Sequence, residues 1–193
     1  FVMAPSIQVL AICGSLRKGS FNRMAMNAAI SAAPEAMHFT EGALGELPLY
    51  NEDVRVAGEP PAVTQLKAQV AAADAILFVT PEYNYSMPGV LKNAIDWVSR
   101  PAATSPFDGK PVAMLGASAG LMGTVRSQLH LRQTCQALNM LVMARPEVMI
   151  SQAASRFDPD GRLTDEATGR FIAQLMAAFQ DWILRLKAAP PPG

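Results

Sequence analysis

The sequence predicts an open parallel α/β sheet covered by helices on both faces, and two alternating patterns carry that expectation. Continuous apolar runs recur at residues 6–13 (SIQVLAIC), 75–80 (AILFVT), 111–117 (PVAMLGA) and, in broken form, 140–150 (MLVMARPEVMI). Strands apolar on both sides belong to a sheet buried on both sides. Between these runs, apolar residues recur three or four apart, the spacing of amphipathic helices. Such alternation, with connections long enough for crossovers, defines a parallel sheet with right-handed crossovers. Five strands fit the length, in the order 2-1-3-4-5.

Taken in order, the first strand ends at Cys13 and passes through GSLRKGSFN (14–22) into a helix that Asn22 is placed to cap. MHFTEGAL (37–44) is a weaker second strand. Val63, Leu66, Val70 and Ala73 mark the helix before the third strand; Leu91, Ile95 and Val98 mark another after Pro88. Leu121, Val125 and Leu129 mark a helix after the loop at 116–120, and Phe171, Leu175, Phe179, Trp182 and Leu186 mark the last one. The terminal AAPPPG cannot continue a helix. With no repeat or interior linker, residues 1–193 read as a single domain with its core at about 6–186.

Half of the 193 residues are apolar, enough for a core without disulfides or metals. Sixteen basic residues balance sixteen acidic ones, which removes the broad attraction that nucleic acid or an anionic membrane would need. Cys13 and Cys135 lack metal-like spacing and read as reduced thiols of a cytoplasmic protein; no metal site is expected. No apolar run reaches the ~18 residues of a membrane span. The start, FVMAPS, reads as a short lead without the basic onset of a signal peptide.

Chemistry concentrates in three loops. In GSLRKGSFN, Gly14 and Gly19 permit turns, Ser15 and Ser20 offer hydroxyls, and Arg17 and Lys18 add charge, as a phosphate cradle before a helix would require. A plain polar turn is the other reading of these residues. The two glycines have Walker spacing, but Ser20 and Phe21 stand where Lys and Ser/Thr are needed, and G-x-G-x-x-G is missing; a phosphomonoester suits the loop better than a nucleoside triphosphate or a dinucleotide. In TPEYNYSMPGVLKNAIDW (80–97), Pro81 and Pro88 stiffen a polar, aromatic stretch suited to a flat heterocycle. GASAGLMG (116–123) is small enough to meet the opposite edge of such a ring, and reads equally as a tight connection.

Together these motifs resemble the NAD(P)H-dependent FMN reductase family, most closely its chromate reductase and azoreductase-like, quinone-reducing members. The resemblance spans about residues 6–186. It implies a flavodoxin-like three-layer sandwich that binds FMN and assembles as a homodimer or homotetramer. It further implies that Ser15, Arg17, Ser20 and Asn22 hold the FMN phosphate. Pro81, Glu82, Tyr83, Asn84 and Ser86 would lie along the isoalloxazine, largely through their backbone, with Ser118 and Gly120 on the far side and Tyr85 and Arg100 bordering the substrate. NAD(P)H would be the electron donor, and quinones, azo compounds or metal oxyanions such as chromate the small-molecule acceptors, in a ping-pong cycle.

No protein acid, base or nucleophile is expected to be catalytic. His38 in the weak strand and His130 in a helix read as structural or surface groups, Glu82 as a determinant of loop geometry rather than a proton donor, and Lys92 with Asp96 as a surface pair. Trp97 and Arg100 read either as core packing and helix-end charge compensation or as neighbours of a subunit interface beside the flavin. No acidic residue or arginine stands in a recognisable ribose-reading position. A flavodoxin-like electron carrier would be strongly acidic for docking, which zero net charge disfavours; a flavin-binding redox sensor would use the same cradle.

Overall fold

In the computed structural model, which describes residues 6–188, the strand order is the one the apolar runs predict. Most of the FVMAPS lead and of the AAPPPG end lies outside the described residues. The elements run β1 (Ile7–Cys13), α1 (Phe21–Ser31), β2 (Met37–Gly42), α2 (Glu52–Ala57), α3 (Pro61–Ala72), β3 (Ala75–Val79), α4 (Gly89–Val98), β4 (Pro111–Ala117), α5 (Val125–Ala137), β5 (Leu141–Val142), β6 (Val148–Ile150) and α6 (Glu166–Ala188). All pairings are parallel along β2-β1-β3-β4-β5, with β6 also on β4.

The three central strands are apolar on both faces because each face is covered. On one side Ala11, Leu77 and Leu115 pack with Ala25 and Met26 of α1 and Leu175 and Phe179 of α6. On the other, Leu10, Ile76 and Met114 pack with Leu66 of α3, Leu91 and Ile95 of α4 and Leu131 of α5. This is a flavodoxin-like three-layer sandwich. The second strand is weak in sequence because it lies at an edge, with Met37 as its one buried residue.

The structure departs from expectation at three places. The broken run 140–150 forms two short strands, not one, so the sheet has six: Pro111 and Val112 of β4 pair with β5, whereas Leu115, Gly116 and Ala117 pair with β6. Pro146, which has no N–H for a ladder, lies in the interruption. Second, α5 starts at Val125 and buries Ser127, Gln128, Leu131 and Cys135, leaving Leu121 78% and Leu129 55% exposed. The apolar spacing 121–125–129 therefore marks an outward face. Third, Phe171 faces outward while Ile172, Leu175 and Met176 turn inward.

Both cysteines are buried and free, and burial pushes the Cys135 thiol up to about 12. Among the described residues no helix is long and apolar enough to cross a membrane, and no cluster of His, Cys, Asp and Glu could hold a metal ion.

Candidate active site

Parallel strands bring their carboxyl ends to one edge, where the following helices begin and where open α/β sheets bind ligands. Register aligns Cys13 with Val79 and Val79 with Leu115, so the loops after β1, β3 and β4 leave from the same edge. Gly14 keeps the first two close. A Cβ there would lie 3.3 Å from Leu91 Cδ2 and 3.4 Å from the Pro81 ring.

The first loop is polar and lies at the start of α1. Ser15 is buried, Arg17 and Lys18 are exposed, and α1 points its N-terminus at the loop. Ser20, not Asn22, caps that helix: its Oγ accepts from the N–H groups of Asn22 and Arg23 at 3.2 and 3.4 Å. Asn22 instead ties α1 to β4, its Nδ2 donating to the Ala117 carbonyl and its Oδ1 accepting the Ala117 N–H, both at 2.9 Å. Arg17 donates to the Gly19 carbonyl at 2.7 Å and lies over Phe21, its guanidinium carbon 5.7 Å from the ring centre.

The second loop folds into a tight turn. Tyr83 and Ser86 exchange backbone hydrogen bonds of 2.9 and 3.0 Å, and the central Asn84 and Tyr85 have φ of 49° and 68°. Both fall in the left-handed region, as a type I′ turn requires, and Tyr85 occupies it without the freedom of glycine. Such strain persists only where the surroundings enforce it. Here α5 does so. The Glu82 carboxylate accepts the N–H groups of Arg126 and Ser127 at 2.9 and 3.2 Å, and pairs with the Arg126 guanidinium at 2.9 Å. Burial pulls this carboxyl upward, but the Arg126 side chain and the two N–H groups outweigh it and hold Glu82 below the usual glutamate value. Ionised and fully bonded, Glu82 serves loop geometry and has no proton to give.

The remaining contacts reinforce that attachment. Arg126 stacks over Tyr85 with 3.9 Å between guanidinium carbon and ring centre. Ser127 Oγ donates to the Pro81 carbonyl at 2.8 Å and lies 3.0 Å from Thr80 Oγ1. His130 Nδ1 lies 2.9 Å from Ser86 Oγ, so this exposed histidine does touch the loop. Sequence reasoning missed Thr80, Arg126 and Ser127, because partners more than 40 residues apart leave no short-range pattern.

The third loop is held by the segment after β6. Ser118 N–H donates to the Ile150 carbonyl, the Ala153 N–H to Ser118 and the Gln152 N–H to Gly120, at 2.9–3.0 Å. Gly120 is exposed and Ser118 partly so. Behind them Gly116 is obligatory, since a Cβ would lie 2.1 Å from the Thr80 carbonyl oxygen.

Within the chain, Trp97 and Arg100 lie away from the three loops. Trp97 is fully buried, its indole N–H donating to the Pro48 carbonyl at 2.8 Å and its ring meeting Tyr50 edge-on at 5.0 Å. It is a core residue. Arg100 follows the C-terminus of α4, at the opposite end of that helix from residues 81–86, and borders cavities with Lys67 and Lys92. Within the chain it does not border the three loops. Lys92 and Asp96 form the expected surface pair at 2.7 Å, and His38 lies on the edge strand β2. A cavity of ≈ 470 Å³ lies away from all of this, between α1, residues 160–163 and α6, so size does not identify the site; convergence does.

A flavodoxin-like sheet with three loops gathered at its carboxyl edge is shared with flavin-dependent oxidoreductases. The chain belongs to the NADPH-dependent FMN reductase family, whose sequence model matches residues 7–155. It is 53% identical over 185 residues to an NAD(P)H-dependent FMN reductase of Pseudomonas aeruginosa, covering 96% of this chain and all of that one. It is 41% identical over 188 residues to a quinone reductase of Escherichia coli, covering 96% and 100%. Among solved structures it is similar to FerB, a flavoenzyme NAD(P)H:(acceptor) oxidoreductase from Paracoccus denitrificans, with TM-score 0.87, 38% identity and coverage of 93% and 98%.

Proposed function

We propose that the three loops hold FMN and that the chain uses it to move electron pairs from NAD(P)H to quinones. When bound, FMN supplies the hydride chemistry. The chain's residues bind and orient it. Ser15, Ser20, Arg17 and the N-terminus of α1 hold the phosphate, Asn22 contributing by fixing α1 to Ala117 rather than by its amide. Residues 81–86 present backbone along one side of the ring, and Ser118 and Gly120 close the other. Tyr83 and Tyr85, 50% and 66% exposed, offer aromatic rings to a flat acceptor. The observation that carries this reading is the turn at Asn84 and Tyr85, whose strained backbone is held by Glu82, Arg126 and Ser127 rather than by its own sequence. Quinones are favoured because a quinone reductase is among the relatives; azo compounds and chromate are further acceptors within the same proposal.

With FMN as the sole carrier of electrons, donor and acceptor use the same face in turn, a ping-pong cycle. Exposed Tyr85, Leu121, Met122 and Leu129 around the loops support a dimer or tetramer, and two buried free thiols suit a reducing cytoplasm. Fluorescence titration tests the cofactor assignment. The first loop should bind FMN at least about tenfold more tightly than FAD, since it suits one terminal phosphate and lacks a dinucleotide fingerprint. Equal or tighter FAD binding would overturn the phosphate assignment.

A further inference from the structure

The turn at 83–86 is held by α5 at its start and again at its end, and the second hold has no part in the function proposed above. At the start, Glu82 accepts the N–H groups of Arg126 and Ser127, and the Pro81 carbonyl accepts the Ser127 hydroxyl. At the end, His130 Nδ1 lies 2.9 Å from Ser86 Oγ. Arg126 and His130 are four apart on α5, so they stand on one face of the helix, one turn from each other. Arg126 meets the ring of Tyr85, and His130 meets the residue after it.

That second contact falls where the backbone needs support. Asn84 and Tyr85 have φ of 49° and 68°, and Ser86 closes the turn by exchanging backbone bonds of 2.9 and 3.0 Å with Tyr83. Left-handed backbone at two successive non-glycine residues persists only where its surroundings hold it. Ser86 is half-buried, and among the described residues His130 is the hydrogen-bond partner of its hydroxyl. A neutral imidazole carries one donor and one acceptor nitrogen, and a hydroxyl answers either, so the bond forms with Nδ1 in either role. Two residues on, Pro88 leads into α4. The His130 contact therefore fixes the stretch that runs from the strained turn into the next helix.

We propose that His130 is a positioning residue for FMN, acting through Ser86: by holding that hydroxyl it fixes the end of the turn, and so the backbone that the turn presents to the flavin ring. The inference rests on the reading of the three loops as the FMN site. Arg126 and Ser127 set where the turn begins, and His130 sets where it ends. Short-range sequence pattern gives no sign of this, since His130 and Ser86 are 44 residues apart.

The test uses the full chain and its His130→Leu, His130→Asn and Ser86→Ala variants. Asn keeps an amide donor and acceptor for the hydroxyl, whereas Leu keeps bulk alone. Leu is also the better helix former, so recovery by Asn cannot originate in α5 itself. Fluorescence titration should show FMN binding His130→Leu about three- to tenfold more weakly than the wild type, as the loss of one hydrogen bond requires. His130→Asn should stay within about twofold of the wild type, and adding His130→Leu to Ser86→Ala should cause no further loss. A second readout needs no cofactor. The chain has two histidines, and in the FMN-free protein the ring ¹⁵N resonances of His130, identified by their absence from His130→Asn, should shift in Ser86→Ala while those of His38 do not. Wild-type affinity in His130→Leu, a loss that Asn does not recover, a loss that adds to that of Ser86→Ala, or His130 resonances indifferent to Ser86→Ala would each overturn the proposal. Failure of the wild type to take up FMN would overturn the parent reading as well, and shows in the flavin absorbance before any variant is compared.

Discussion

Glu82 shows how one side chain sets the geometry of a loop. Its carboxylate, 10% exposed, accepts three bonds from the first turn of α5, and its own chain carries the turn at Asn84 and Tyr85. Glu82→Gln removes the charge and points an N–H toward backbone N–H groups, so it should cost about 1.5–3 kcal/mol in urea unfolding near neutral pH. Because the folded-state pKa of Glu82 is depressed, its contribution is full above the ordinary glutamate value and is lost as pH falls through the folded value. The gap between wild type and variant should therefore narrow below about pH 4.5; a gap independent of pH would remove the ionised carboxylate from the account. Gly116 makes a second case. Its Cβ would fall 2.1 Å from the Thr80 carbonyl and 2.4 Å from Thr124 Oγ1, so Gly116→Ala should cost about 3 kcal/mol or more. Gly89→Ala, with nothing within 4 Å, should cost none by the same measurement.

Among the elements, α4 links the site to the rest of the sheet. It begins just after the turn at 81–86 and ends at Trp97 and Val98, both buried. Trp97 and Asn93 both donate to the Pro48 carbonyl at 2.8 Å, fastening the long connection after β2 to this helix. Trp97→Phe loses that bond and part of a buried ring, and should lower stability by about 1–3 kcal/mol while FMN still binds. Loss of FMN with stability unchanged would place Trp97 at the flavin after all. The strands and most helices were legible because burial imposes periodicity: β1, β3 and β4 are apolar throughout, and α3 buries Val63, Leu66 and Val70 at helical spacing. Short α2 left no such mark because none of its residues is buried. The helix α5 was misread at its start because its inner face is built partly of Ser127 and Gln128, which meet polar partners, whereas its apolar Leu129 faces outward. The loops themselves were legible as polar, glycine- and proline-marked stretches at strand ends. Their bracing was not, since it depends on residues brought together only by the sheet.

At the scale of the whole molecule, the carboxyl edge of the sheet gathers the loops after β1, β3 and β4, and among the described residues no cluster of His, Cys, Asp and Glu could hold a metal ion. On the proposed function the loops orient the cofactor, and assembly through the exposed apolar residues around them should be visible as a dimer or tetramer in light scattering at micromolar concentration. A fully active monomer would contradict that assembly. The central claim, that bound FMN alone connects donor and acceptor through one shared face, is tested most directly by anaerobic rapid mixing of the FMN-loaded protein. NADPH alone should bleach the flavin absorbance, and a quinone added afterwards, with no NADPH left, should restore it at a rate no slower than turnover. Flavin that stays oxidised with NADPH until a quinone is also present would contradict the account, because both substrates would then have to be bound together.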